Sequence, residues 1–208
     1  MATTHEGDPA AGRRYHHGDL RAALIAASFE LLSEVGMAGF SVAQLARRLG
    51  VSTAAPYRHF RDRDELLAAV ATEAAGELTT AVRAAADAAG PDPIDRFAAT
   101  AGAYVRYVSA RGAGFTVIFA ESLRHLRDAG LAETGRELMT LLLELAQKAR
   151  PLPPSEALQL LEQHVAIAHG YITLHTDGFL DRGHPTIDEI ADRATHASAA
   201  LVRGTGTV

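Results

Sequence analysis

The 208-residue sequence contains no cysteine, which excludes disulfide bonds, thiolate metal sites and cysteine nucleophiles. It also lacks an unbroken run of about 18 apolar residues, the length that a membrane-spanning helix needs. Residues 1–12 mix Thr, Glu, Asp, Pro and Gly without an apolar stretch, unlike a signal peptide or an anchor. We therefore expect a disordered leader over residues 1–14, no membrane contact and a cytoplasmic location.

A basic excess is absent from the chain as a whole, whose formal net charge is -5. The charges are unevenly distributed. Residues 13–63 hold eight arginines and four acidic residues, whereas residues 64–208 hold twelve basic and nineteen acidic residues. A basic N-terminal part on an acidic body suggests that only the first part meets a polyanion such as DNA. A solvated surface with an accidental asymmetry explains the same counts equally well.

Apolar residues recur at helical spacing throughout, and the alternation of β-branched residues that is typical of strands is missing. The predicted fold class is all-α, with about nine helices. Glycine and proline breaks divide the chain into a small three-helix head over 15–62, a connecting helix over 63–88 and a larger helical-bundle domain, the body, over 91–208. In that last part we expect helices at about 93–111, 114–128, 131–149, 154–180 and 187–203.

The segment from Phe40 to Leu67 has the pattern helix, glycine turn, helix. In a DNA-binding helix-turn-helix, the second helix lies in the major groove with its N-terminal residues toward the base edges. With Thr53 as the N-cap, Pro56 is the third helical residue, where its missing N–H costs little. The small residues that begin this helix let its backbone approach a groove, and Tyr57 and His59 carry groups that can bond phosphate oxygens.

Together with Asp19-Leu20-Arg21, Gly36, Gly39 and Gly50, the ending Tyr57-Arg58-His59-Phe60 and the following Glu65-Leu66-Leu67, this segment resembles the TetR family of bacterial regulators over residues 15–68. The resemblance implies a homodimer that reads a near-palindromic operator, its two heads in major grooves about 34 to 36 Å apart. Arg48, on the outer face of the first helix of the motif, is a further predicted DNA contact. By position, the family's DNA contacts fall on Ser41, Thr53, Ala54, Ala55, Tyr57, His59 and Arg63.

Two interpretations of the head stay open. The face with Tyr57 and His59 either contacts DNA or simply packs or faces water. The basic segment Arg13-Arg14-Tyr15-His16-His17 is either an arm for the minor groove or a solvated tail. Ala55-Pro56 departs from the family, in which Thr or Ser followed by an aliphatic residue is common. This departure predicts fewer direct contacts to the bases.

For residues 91–208 the resemblance implies an effector pocket among the middle helices and dimerisation through the last two. The segment Ala168-His169-Gly170 also resembles a C-terminal domain type found in a subgroup of TetR-like proteins. The pocket candidates are Phe97, Tyr104, Phe115, Phe119, His125, Met139 and His169. The dimer candidates are Leu161, Val165, Ala168, Ile172, Ile190, Ala194, Ala197 and Leu201.

The sequence favours a ligand-responsive DNA-binding repressor over an enzyme. His164, His169 and His175 lack the i, i+4 spacing that brings two imidazoles to one metal, and no phosphate loop or nucleophile-base pair is evident. We therefore expect no metal and no cofactor. The alternatives are a helical dimeric small-molecule-binding protein or enzyme with no DNA role, and a regulator without an effector, whose core would be filled where a cavity is expected.

Overall fold

The computed structural model describes residues 20–112, 117–118, 128–180 and 182–204, and this part of the chain is all-helical, as predicted. It holds seven α-helices and one 3₁₀ helix, fewer than the nine expected. The third helix of the head is the 3₁₀ turn, and most of the helix predicted at 114–128 lies outside the described residues. The elements are α1 (Leu20–Gly39), α2 (Val42–Arg48), the 3₁₀ helix (Pro56–Arg58), α3 (Arg63–Ala88), α4 (Pro93–Arg111), α5 (Ala129–Ala149), α6 (Pro154–Thr176) and α7 (Ile187–Gly204).

Glycines shape both helices of the head. Gly36 interrupts α1 with a φ of 65°, a conformation that glycine adopts without strain, and so ends the regular part of this helix. Gly50 follows α2 with a φ of 68°; its N–H donates to Arg47 O at 3.1 Å, and the N–H of Val51 donates to Ala46 O at 3.0 Å. These two bonds form a Schellman motif, which satisfies the last carbonyls of α2 and turns the chain.

The long helix α3 begins at a reciprocal cap. Asp62 Oδ1 accepts from the N–H of Glu65 at 2.8 Å, and Glu65 Oε2 accepts from the N–H of Arg61 at 2.6 Å. The first half of α3 packs into the apolar core of the head and the second half into that of the body. The helix therefore belongs to both cores, and the predicted division at residues 62 and 88 stays a prediction.

The bundle of the body surrounds α4, which packs against α3, α5, α6 and α7. Asp92 caps α4 by accepting from the N–H of Ile94 at 2.7 Å, and Pro93 occupies its first turn, where no N–H is needed. Phe97, Leu161 and Ile190 are fully buried at the centre of this core. The core holds α6 and α7 side by side on one flank of α4.

Helix α1 is long and apolar enough, by length and composition, to cross a membrane. In the structure its apolar residues Leu24, Phe29 and Leu32 are buried in the core of the head, where they contact α2 and α3. A core helix passes the same test of length and apolarity, and the packing of α1 explains its composition.

Candidate nucleic-acid interface and ligand cavity

The second helix of the helix-turn-helix is a single 3₁₀ turn. The N–H of Ala55 donates to Ser52 O at 2.9 Å, and the N–H of His59 donates to Pro56 O at 2.9 Å. The N-cap is Ala55 and Pro56 is the first residue of the turn, so the predicted cap at Thr53 is wrong. An α-helix capped by Thr53 would begin with a bond from the N–H of Tyr57 to Thr53 O, whereas the observed turn begins with the N–H of Arg58 donating to Ala55 O at 3.2 Å.

This turn presents the predicted contact side chains to solvent. Tyr57 is 54% exposed, an unusual exposure for a tyrosine in a chain where aromatics are otherwise mostly buried. Thr53, Ala54 and His59 are also exposed, whereas Ala55 and Ser41 are half-buried. Pro56 and Phe60 point the other way into the core of the head, which fixes the direction of the exposed face.

Two arginines predicted to contact DNA are bonded within the protein. Arg63 Nε donates to Phe40 O at 3.2 Å, and the same guanidinium donates to Met37 O and lies over the Phe40 ring. Arg48 pairs with Glu34 of α1 at 2.6 Å. Both side chains therefore brace the head, and their role as DNA contacts stays a prediction. Further exposed guanidinium groups lie nearby, on Arg47, Arg58 and Arg61.

A small cavity lies between α3, α4, α5 and α6, where the effector pocket was expected. It offers about 20 Å³ to solvent, which is room for roughly one water molecule. Among its described lining residues the polar ones are Thr100, Tyr104 and His164, and none carries a formal charge. Tyr104 Oη bonds His169 Nδ1 at 2.9 Å, and burial raises the pKa of Tyr104.

A chain of hydrogen bonds through Thr100, His164 and Ser198, the buried relay, crosses the bundle beside this cavity. Thr100 donates its hydroxyl to Phe97 O at 2.7 Å, so Thr100 Oγ1 accepts from His164 Nε2 at 2.8 Å. His164 Nδ1 must then be the acceptor for the hydroxyl of Ser198, 2.6 Å away. Burial lowers the pKa of His164 to about 4, and its ring lies 4.2 Å from that of Phe97. The imidazole is therefore neutral, with its proton on Nε2.

Sequence reasoning did not find this relay. Thr100 and His164 are 64 residues apart, and His164 and Ser198 are 34 apart, so no local pattern connects them. The available signal was only that each is a polar residue at a core-facing helical position. The three histidines considered as metal ligands have separate settings: His164 in the relay, His169 beside Tyr104, and His175 near the head.

The structure brings only some of the pocket candidates together. Tyr104 lines the small cavity, while Phe97 is buried against His164 and His169 bonds Tyr104. Met139 is 37% exposed on the outer side of α5, because Leu138 and Leu142 occupy the inward positions of that helix. Phe115, Phe119 and His125 lie outside the described residues. The effector pocket stays a prediction.

Most of the dimer candidates belong to the core of the body. Leu161, Ala168, Ile172, Ile190 and Ala194 are at most 4% exposed within a single chain, which leaves them little surface for a partner. Val165, Ala197 and Leu201 are half-buried. The apolar stripe seen in the sequence is thus largely the inward face of α6 and α7, because the same spacing serves a core and an interface.

The fold and the exposed turn define a helix-turn-helix protein with a helical C-terminal body. Residues 24–70 match the family described as bacterial regulatory proteins, tetR family, and residues 97–198 match the tetracyclin repressor-like C-terminal domain. A solved structure of a protein with unknown function from Rhodococcus sp. RHA1 is 35% identical, covers 93% of this chain and 98% of that chain, and superposes with a TM-score of 0.74. The chain belongs to the TetR family.

Other relatives share part of the sequence or the fold. The HTH-type transcriptional regulator BetI of Stenotrophomonas maltophilia is 38% identical over 79 residues. The matched segment is 38% of this chain and 40% of the length of that relative. The TetR family regulator PfmR of Thermus thermophilus is 19% identical, covers 88% of this chain and 99% of that chain, and has a TM-score of 0.61, a likeness of fold alone. The family is described as one of bacterial regulatory proteins, and BetI and PfmR are both named as transcriptional regulators.

Proposed function

We propose that this protein is a ligand-responsive transcriptional repressor that binds a near-palindromic operator as a homodimer and is released from it by a small molecule. The observation that carries the proposal is the solvent-facing turn with Tyr57 and His59, set on a head that matches the TetR helix-turn-helix. Exposed arginines beside that turn add the positive charge that a phosphate backbone attracts. We expect the protein to act in the cytoplasm, away from the membrane.

Contacts to the DNA backbone, which position the protein, should contribute more to the binding affinity than direct contacts to the bases. The turn contains one phenol and one imidazole that can bond phosphate oxygens, whereas Thr53 is the one polar side chain at its tip. A 3₁₀ turn is shorter than the α-helix that usually enters a major groove, so fewer side chains reach the base edges. Sequence preference is then expected to rest on few positions of each half-site.

The surface of α6 supports dimerisation. Residues 163–176 contain no Asp, Glu, Lys or Arg, although Ala166, Thr173 and Leu174 are exposed in the single chain. A long exposed helix face without charge is typical of the core of a protein interface. The half-buried dimer candidates Val165, Ala197 and Leu201 are then the ones most able to contact the partner.

Fluorescence anisotropy with the intergenic DNA beside the protein's own gene tests the DNA proposal. We expect nanomolar, sequence-selective binding that weakens steeply between 50 and 200 mM salt, roughly as counterion release requires. Tyr57→Ala with His59→Ala should weaken it at least about tenfold, since two positioning contacts are lost. A matched control is Phe179→Ala with His184→Ala, which removes an exposed aromatic and an exposed histidine from the body.

Two outcomes would contradict this proposal. Weak binding that ignores DNA sequence would show that the head does not read an operator beside its gene. An equal loss in both double variants would show that the recognition turn has no special role. Retained stability of both variants, measured by circular dichroism, separates lost contacts from unfolding.

A further inference from the structure

A space lined by residues of both α1 and the body lies where the head meets the body. This junction cleft has a volume of about 520 Å³, against about 20 Å³ for the cavity inside the bundle, and it falls within the usual size range of ligand pockets. The head contributes Leu32, Ser33, Gly36 and Met37 of α1. The body contributes Val108, Ser109 and Gly112 at the end of α4, and Ile172, His175 and Thr176 at the end of α6.

The polar groups of the bundle cavity and of the junction cleft differ in whether they have hydrogen-bond partners within the protein. In the bundle cavity, Thr100 and His164 bond each other and Tyr104 bonds His169, so none of the three needs a ligand. In the junction cleft, Nδ1 of His175 is buried and has no hydrogen-bond partner among the described residues. A buried polar atom without a partner is uncommon in folded proteins and calls for a water or a ligand.

The chemistry of the cleft selects one class of ligand. Ser33 and Thr176 already donate their hydroxyls to Glu30 O and Ile172 O, at 2.8 and 2.9 Å, so their oxygens face an occupant as acceptors. The tautomer of His175 that carries its proton on Nε2 offers Nδ1 as a third acceptor. The described lining holds no Asp, Glu, Lys or Arg. A matching occupant is uncharged and largely apolar, and it carries an N–H or O–H donor.

An occupant of the cleft would touch the parts that position the DNA-binding turn. Met37 lines the cleft, and its carbonyl oxygen accepts from the guanidinium of Arg63 at the start of α3. Opposite, Gly112 lies so close to α1 that a Cβ built there would be 2.8 Å from Ser33 Cβ. The head is thus docked tightly beside the cleft, and a molecule bound there would contact both the head and the body.

We propose that the junction cleft is a regulatory ligand site, separate from the bundle cavity, which binds an uncharged apolar molecule through a hydrogen bond from its N–H or O–H group to His175. The proposal rests on the proposed function only for its effect on DNA. Binding itself is independent of DNA, so the two can fail separately.

N-phenyl-1-naphthylamine is a suitable probe, because it is uncharged, apolar and carries one N–H donor. Its fluorescence rises on leaving water, and the chain has no tryptophan to interfere. We expect a saturable rise with the 208-residue protein. The anionic analogue 1-anilinonaphthalene-8-sulfonate should bind at least about tenfold more weakly, because the described lining offers its sulfonate no cation.

Three variants locate the site. Ser109→Phe fills the cleft from an exposed position and should weaken probe binding at least tenfold, while Ala110→Phe, at the next exposed position of α4, should leave it unchanged. His175→Phe removes the acceptor and should weaken binding by about five- to tenfold, the effect of one hydrogen bond. Since Ser109 is exposed, its variant tests the site even where a change at His175 perturbs folding.

The proposal is overturned if the probe shows no saturable binding, if Ser109→Phe leaves the affinity unchanged, or if the anionic analogue binds as tightly. Loss of probe binding in Ser109→Phe together with normal binding in Ala110→Phe supports it. Because these titrations contain no DNA, a negative result leaves the DNA-binding proposal standing. A protein that binds the probe in the cleft and yet ignores DNA leaves the ligand site standing instead.

Discussion

Replacing His164 by glutamine tests the buried relay through the pH dependence of stability. The pKa of His164 is about 4 in the folded protein, against an ordinary value of 6.5 that we take for the unfolded chain. Between these two values the unfolded chain binds a proton and the folded chain does not, so acidification favours unfolding. The stability that this residue contributes is complete above pH 6.5 and is lost as the pH falls toward 4.

The size of the effect follows from the same two pKa values. Each pH unit within the window changes the free energy of unfolding by about 1.4 kcal/mol, and curvature at the upper end reduces the change between pH 7 and pH 5 to about 2 kcal/mol. Glutamine keeps an N–H near the position of His164 Nε2, where it can still donate to Thr100, but it does not titrate. The variant should therefore lose about 2 kcal/mol less than the original protein over that range.

Urea unfolding followed by far-ultraviolet circular dichroism, at one protein concentration and at several pH values, measures this difference. The concentration must be held constant because the stability of the proposed dimer would depend on it. His196→Gln, at an exposed position of α7, controls for the removal of a histidine at the surface. Equal pH dependence of the original protein and His164→Gln would refute the neutral buried relay.

Two further predictions concern the junction and the start of α3. Gly112→Ala should destabilise the protein by more than about 1 kcal/mol, because Gly112 has a φ of 60° and an added Cβ would meet Ser33. Gly135→Ala, where a Cβ meets nothing within 4 Å, should instead stabilise α5 by up to about 1 kcal/mol. Urea unfolding of the two variants checks both signs, and equal effects would show that the approach of α4 to α1 is not tight. Asp62→Ala should lower the free energy of unfolding by about 1 kcal/mol, because it removes the cap of α3, while Asp62→Ser should retain most of that stability. Thermal unfolding compares the two variants, and a Tm loss as large for serine as for alanine would contradict the capping role.

The body shows why one spacing rule could not separate a core from an interface. Leu161 and Val165 lie on neighbouring turns of α6, yet Leu161 is buried within the chain and Val165 is only half-buried. Both positions satisfy the same helical periodicity. Which of them is covered depends on how α4 and α7 pack against α6, and that geometry is set by contacts between residues far apart in the sequence.

Local chemistry was readable from the sequence alone. The all-helical class, the stop at Gly50, the break after Ala88 and the helix-turn-helix itself follow from helical periodicity, glycine at positive φ and proline without an N–H. These properties act over a few residues, so a sequence displays them directly. The cap of the recognition turn was misplaced because Thr53 and Ala55 are both compatible with a helix start before Pro56.

Tertiary structure alone decided the relay and the cleft. Thr100, His164 and Ser198 meet only because α4, α6 and α7 pack at particular rotations, and the cleft exists only because the ends of α4 and α6 stop beside the kink of α1. The pKa of His164 depends on that burial, and the lack of a partner for Nδ1 of His175 within the described part of the chain depends on the same kind of packing. Burial and hydrogen-bond satisfaction are properties of the assembled neighbourhood, which residue types and spacings do not specify.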